Sequence, residues 1–337
     1  MTRKAELYKA LEERVIILDG AMGTMLQAYS FTEQDFRGQQ FKNWDRPLKG
    51  NNDLLSITQS DAIASVHRRY LEAGADIIET NTFSSTRIGM ADYGLEEYVR
   101  ELNLASARIA RAVADELSEK EPSKPRFVAG SIGPTSKTAS LSPDVSDPGF
   151  RAIDFDTLKA CYKEQAEALI EGGVDILLVE TVFDTLNAKA ALFAISEIKE
   201  EKGDDIPVMV SGTITDQSGR TLSGQTAEAF LISISHENLL SVGFNCALGA
   251  KELTPYLEVI SKASENYISA YPNAGLPNAF GGYDQSAETM AEMVEVYLEK
   301  ELVNILGGCC GTTPEHIAAI RKVADRYKPR KVKQYSN

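Results

Sequence analysis

The chain has 337 residues, 43% of them hydrophobic, and 35 Lys and Arg against 49 Asp and Glu give it a formal charge of −14 at pH 7. That composition is globular, and the length suffices for two domains or one large single-core α/β domain, so a disulfide-stapled miniprotein is excluded. A surface of that charge repels phosphate, so neither nucleic acid nor an anionic membrane is expected as a partner.

No apolar run approaches the roughly 18 residues a membrane span needs. The N-terminal segment, rich in both charge signs up to Arg14, does not read as a signal peptide, so a cytoplasmic protein is expected. Four cysteines, Cys161, Cys246, Cys309 and Cys310, then read as thiols or metal ligands rather than a disulfide framework.

In chain order, short apolar, β-branched runs fall at Val15–Ala21, Asp76–Phe83, Arg126–Gly133, Asp175–Val182, Ile206–Ile214, Leu239–Cys246, Asn266–Asn273 and Leu302–Cys310. Between them lie helical stripes such as Leu102, Ala105, Ile109, Val113 and Leu117, and Leu158, Cys161, Tyr162, Leu169 and Ile170. Strands alternating with helices imply parallel βαβ units, and eight of them fit a closed (β/α)8 TIM barrel better than an open doubly wound sheet. The steps Ala73-Gly74-Ala75-Asp76 and Gly172-Gly173-Val174-Asp175 resemble one repeated helix-to-strand unit. One barrel domain over 1–337 is expected. It carries an insertion at about 29–53, read either as a cover over the barrel mouth or as a surface excursion. A basic tail at about 327–337, with Lys328, Arg330, Lys331 and Lys333, reads as solvated.

A parallel barrel places its active site at the C-terminal ends of the strands. Those ends are polar here: Asp19 to Thr24, Glu79-Thr80-Asn81-Thr82, Glu180-Thr181, Ser211-Gly212-Thr213, Asn245-Cys246, Tyr271-Pro272-Asn273 and Gly307 to Gly311. Cys246, Cys309 and Cys310 thus converge on one rim. Three thiolates match a tetrahedral zinc site with one open position, although buried small hydrophobes or a redox-active vicinal pair fit the same residues. Cys161 lies on an apolar helical stripe and reads as core. Gly20-x-x-Gly23 is not a dinucleotide fingerprint, and Gly307, Gly308 and Gly311 could cradle a phosphate. Thr313, Pro314 and His316 read as a helix cap and first turn. His67 and His236 fall in helical patterns, and none of the three histidines stands out as a base. Asp19 and Glu180 close apolar strands, where a carboxylate must be paired or used. Either they cap local turns, or together they hold a ligand ammonium while the amides after strand 1, Gly20 and Ala21 first among them, take its carboxylate.

The strings Leu18-Asp19-Gly20-Ala21-Met22-Gly23-Thr24, Glu79-Thr80-Asn81-Thr82-Phe83, Gly243-Phe244-Asn245-Cys246 and Gly307-Gly308-Cys309-Cys310-Gly311-Thr312-Thr313-Pro314 together resemble the homocysteine S-methyltransferase family over about residues 10–326. Lys49 to Leu54 and Val210 to Asp216 are similar to the N-terminal homocysteine module of cobalamin-dependent methionine synthases. The resemblance implies an enzyme, a (β/α)8 barrel with zinc on Cys246, Cys309 and Cys310, that methylates the thiol of L-homocysteine to give methionine. It implies ammonium binding by Asp19 and Glu180, carboxylate binding by the Gly20 and Ala21 amides, and methylcobalamin delivered by another module or protein. Asn273 is a candidate fourth zinc ligand when substrate is absent, or a turn-stabilising residue. The rival readings are the same acceptor with betaine or S-methylmethionine as donor, a phosphate-binding barrel isomerase or aldolase, and a non-enzymatic thiol redox sensor built on Cys309-Cys310.

Overall fold

The computed structural model describes residues 2–203, 205–215 and 218–332. Asp216 and Lys333, named above, lie outside them. Each of the eight apolar runs carries a strand, the sixth extending three residues past its run: β1 Ile16–Ile17, β2 Ile77–Glu79, β3 Phe127–Ile132, β4 Ile176–Val182, β5 Val208–Gly212, β6 Ser241–Gly249, β7 Tyr267–Asn273 and β8 Ile305–Leu306. The sheet runs β1-β8-β7-β6-β5-β4-β3-β2 with every pairing parallel, and a bridge from Leu18 to Ile77 joins β1 to β2. The (β/α)8 barrel is therefore closed.

Alternation along the strands sorts the core into two layers. Ile16, Leu18, Ile77, Phe127, Ala129, Ile176, Leu178, Met209 and Ile305 form an inner cluster, joined by Leu7, Ala10 and Leu11 of the helix Arg3–Glu13. Their neighbours Ile17, Ile78, Val128, Leu177, Val210 and Leu306 pack outward against the helices. On Val99–Lys120 the buried face is centred on the small residues Ala107, Ala110 and Ala114, with Ala105, Ile109 and Leu117 only half-buried. Small side chains there let helix and sheet approach closely.

The Gly-x-Asp steps have a specific job at the base of the barrel. Asp76 Oδ2 accepts the Ile17 N–H at 2.8 Å, Asp175 Oδ2 accepts the Val128 N–H at 2.8 Å, and Asn304 Oδ1 accepts the Ile268 N–H at 3.0 Å. Each side chain before a strand thus ties down the strand preceding it. Arg14 and Arg321 pair with Asp76, and Arg111 and Arg3 with Asp175.

Two expectations are revised. The 29–53 stretch is more than a surface excursion: Phe36, Phe41 and Leu48 are buried in a third apolar cluster with Leu54, Met90, Val99 and Leu102, and Trp44 Nε1 donates to Tyr93 O at 2.8 Å. The tail is not uniformly solvated. Arg330 is 6% exposed and donates to the carbonyls of Asn266, Ser261 and Ser264 at 3.1, 2.7 and 2.8 Å.

Candidate functional site

The strand ends open into a cavity of about 880 Å³. Its lining includes Asp19, Gly20, Ala21, Glu79, Glu180, Cys246, Cys309 and Cys310, with Gly50 to Asp53 from the 29–53 region and its junction on one side and Gly281 to Tyr283 on another. Among the described residues its lining holds no Lys, Arg or His. The predicted site residues from β1, β4, β6 and β8 are therefore brought together.

Cys246 sits in a bulge of β6, where register with β7 is lost between Asn245 and Gly249, and both Cys246 and Ala247 have positive φ, +59° and +56°. Thr181, in a matching irregularity of β4, has φ +54°. Non-glycine residues in this region cost about 1–3 kcal/mol each and persist where the surroundings hold them, commonly at functional sites. Cys309 and Cys310 come two glycines after β8, and Gly311 at φ +81° turns the chain away beneath Tyr283. The three sulfurs lie within 4.8 Å of one another, and Cys246 Sγ is 3.8 Å from Cys310 Sγ. A tetrahedral zinc with bonds of about 2.3 Å requires sulfur–sulfur edges of about 3.8 Å. The donor set and spacing therefore fit zinc, and among the described residues no other group of three such donors is as close. Mutual hydrogen bonding splits the thiols: the Cys310 thiol is pushed down to about 3, while Cys246 is pushed up to about 11 and Cys309 well up. Cys161, 7% exposed on the helix Phe155–Glu171, is core as expected.

Asp19 and Glu180 are 3% and 4% exposed. Asp19 Oδ2 accepts the Glu79 N–H at 3.1 Å, but its buried Oδ1 has no protein partner. The Ser131 hydroxyl donates to Glu180 Oε1. Burial raises both carboxyls, Glu180 to about 7 and Asp19 well above its usual range, where the charge of Glu180 adds to the effect. A third carboxylate, Glu79 at the end of β2, joins them. Burial and the charges of Glu180 and Asp19 raise it as well. Sequence reading placed Glu79 at a strand end without giving it a role; the available signal was a carboxylate closing the apolar Ile77-Ile78, the criterion that selected Asp19 and Glu180. The buried Asp19 and Glu180 and the half-buried Glu79, with no basic side chain among the described cavity residues, call for a cationic ligand.

The amides divide differently from expectation. The Ala21 N–H already donates to Thr312 Oγ1 at 3.1 Å. Gly20 is held by close contact, since a Cβ there would lie 2.7 Å from Thr312 Oγ1 and 2.8 Å from the Tyr70 ring. The phosphate cradle is not available. The N–H groups of Gly307, Gly308, Cys309, Cys310, Gly311 and Thr312 all donate within the protein, to Ala270 O, Asp19 O, Pro272 O, Asn273 Oδ1, Thr24 Oγ1 and Cys309 O. Asn273 accordingly spends its amide oxygen on the Cys310 N–H at 3.1 Å, which is a turn-stabilising bond. His316 completes a capping box with Thr313 and contacts Gln285 O through Nε2 at 2.9 Å, as its first-turn position predicts. His67 is buried in the helix Ser60–Glu72, and burial lowers it to about 4. His236 departs from its predicted helix; it is exposed in the turn after Ala227–Ile234.

The family model for homocysteine S-methyltransferases matches residues 16–324. The chain belongs to that family. Among solved structures it is similar to the homocysteine methyltransferase MmuM from Escherichia coli. The metallated form matches with a TM-score of 0.70 at 23% identity, covering 94% of this chain and 98% of that one. The apo form matches with a TM-score of 0.67 at 21% identity, covering 93% and 97%. At such identity the likeness establishes the shared barrel. Within this family of methyltransferases the three-cysteine cluster lies where the (β/α)8 architecture puts its reactive rim.

Proposed function

We propose that the chain is a single barrel domain over residues 1–337 that methylates the thiol of L-homocysteine to give methionine, using zinc held by Cys246, Cys309 and Cys310. The observation that carries this reading is the cavity itself: three cysteine sulfurs within 4.8 Å of one another beside the buried Asp19 and Glu180 and the half-buried Glu79, with no basic side chain among its described lining residues. A ligand bearing both a thiol and an ammonium satisfies both clusters at once. Asp19, with its unpartnered Oδ1, and Glu180 take the ammonium, Glu79 adds negative potential beside them, and the backbone at Gly20, with Ala21 beside it, faces the ligand carboxylate.

When bound, zinc supplies a thiolate at neutral pH from a thiol whose usual pKa is about 8.5. Three cysteine thiolates would leave the occupied site at −1, so a substrate sulfur held there would lose little charge and stay nucleophilic. The sulfur then displaces the methyl group in line: the S–C bond forms, the donor's bond to carbon breaks, and its electron pair stays with the leaving group. For the donor we propose methylcobalamin carried by another module or protein. The methionine-synthase-like strings at 49–54 and 210–216 support this choice. Exposed apolar side chains on the loops at the strand ends, Phe83, Val145, Leu222, Leu276 and Phe280, support it too, since they offer a docking rim around a cavity larger than one small amino acid needs. Among the described residues no helix is long and apolar enough to cross a membrane, and we place the enzyme in the cytoplasm.

Metal analysis with calorimetric binding of L-homocysteine tests the acceptor half; one equivalent of zinc and stoichiometric binding are expected. Turnover with methylcobalamin, betaine and S-methylmethionine compared side by side tests the donor. Homocysteine binding by metal-free protein as tight as by the zinc form would overturn the thiolate role.

A further inference from the structure

Asn245 precedes the first cysteine ligand, is fully buried, and uses all four hydrogen-bonding positions of its carboxamide. Its Oδ1 accepts the Thr181 N–H at 3.1 Å and the Ser211 hydroxyl at 2.6 Å. Its Nδ2 donates to Thr181 Oγ1 at 2.8 Å and reaches Cys309 Sγ at 3.9 Å. The Thr181 N–H can only donate, so it fixes the oxygen on that side and turns the NH2 toward the sulfur. One side chain of β6 thereby touches β4, β5 and the turn after β8.

The location gives these contacts their meaning. Asn245 is the last residue of β6 in register with β7 before the bulge that turns out Cys246, and Thr181 occupies the irregularity of β4 beside Glu180. The carboxamide bonds Thr181, one positive-φ residue, across the end of β5, and its own backbone leads into the next two, Cys246 and Ala247. Its N–H points at a sulfur whose charge the metal site has to share.

We propose that Asn245 is a positioning residue for the metal centre. Its amide holds the Cys309 sulfur in ligating orientation by an N–H···S bond, reduces the electron donation of that thiolate, and through Thr181 fixes the spacing between the cysteine tripod and the Glu180 carboxylate. Groups that orient metal ligands in this way typically change metal affinity by about 10–100-fold when removed. The inference rests on the zinc reading above.

The test compares wild type with Asn245→Ser, whose shorter side chain cannot reach the sulfur, and with Asn245→Asp, which keeps the shape and the acceptor for Thr181 N–H but places oxygen against the sulfur. Zinc affinity is read by competition with a chromophoric chelator, and the thiolate-to-metal charge-transfer band is read on cobalt-substituted protein. We expect zinc affinity to fall at least about tenfold in both variants. The cobalt band should move to lower energy, because a sulfur without its hydrogen bond gives up charge more readily. If Asn245→Ser does not fold, Asn245→Asp alone decides. A folded variant with wild-type affinity and an unmoved band overturns the positioning role and leaves the zinc reading intact. Wild-type protein that binds neither metal overturns both.

Discussion

The carboxylate cluster makes the binding of homocysteine a proton-releasing event with a size that can be worked out. The ligand thiol, with a usual pKa of about 8.5, is almost wholly protonated at pH 7 and gives up about one proton when its sulfur is held as thiolate. Glu180, raised to about 7, is about half protonated in the free protein, and an ammonium placed against it drives that proton off. Asp19 and Glu79, both raised in the same direction, can only add to the count. Release at pH 7 should therefore be at least about 1.5 protons for L-homocysteine and about one for its desamino analogue. Since affinity changes with pH by the number of protons released, homocysteine affinity should rise about thirtyfold per pH unit near pH 7, and the analogue's about tenfold. The sign follows from the raised pKa: protons compete with the ammonium below pH 7, and the competition fades above it. Calorimetry in buffers of different ionisation enthalpy counts the protons directly. Glu180→Gln should remove the Glu180 share, weaken homocysteine by about 1.5–3 kcal/mol and leave zinc in place. Equal proton release for homocysteine and the desamino analogue would refute the ammonium assignment.

Cys246→Ala, Cys309→Ala and Cys310→Ala should each lose most bound zinc by metal analysis, because two sulfurs do not complete the tripod, whereas Cys161→Ala, remote in a helix, should keep it. Asp53 is buried, accepts the Ser84 N–H and the Ser85 hydroxyl, and is raised to about 6 from 3.8. The native state thus holds this proton to higher pH than the unfolded chain, and stability should decline from about pH 4 to 6 by at most about 3 kcal/mol. Asp53→Asn should flatten that decline in urea titrations at pH 4 and 8; an unchanged pH dependence would count against it. Arg330→Ala leaves three carbonyls without their charged donor and should lower the unfolding free energy by about 3 kcal/mol in the same assay. A loss below about 0.5 kcal/mol would restore the solvated-tail reading.

The barrel was legible because its signal is local and repeated: eight buried runs, each with inner and outer faces that are both apolar, separated by helical stripes. Strand length was less legible. The run Val15–Ala21 yields only two residues of ladder, since beyond Leu18 the chain turns to build the site rather than to pair. Asp19, Glu180 and the three cysteines could be picked out because each breaks an apolar run at its C-terminal end. Glu79 breaks one in the same way, but its importance comes from barrel closure, which sets β2 beside β1 and brings its carboxylate into the field of Asp19 and Glu180. Arg330 was misread for a related reason. The carbonyls of Ser261, Ser264 and Asn266 that bury it lie more than sixty residues earlier, and no local pattern announces them.

The two ends of the barrel use the same residue type in opposite ways. At the base, Asp76 and Asp175 are matched by Arg14, Arg321, Arg111 and Arg3 and accept backbone amides of the preceding strands, so their charge is spent on closing the sheet. At the rim, the buried Asp19 and Glu180 and the half-buried Glu79 have no basic side chain among the described cavity residues, and they sit beside the cysteine sulfurs and a backbone held at positive φ. A buried carboxylate without a counterion costs stability. Such a cluster in one cavity persists only if the paired base and the two apolar layers supply the surplus. On the function proposed above, a metal cation would answer the sulfurs, and the substrate thiol and ammonium would engage that metal and the carboxylates together.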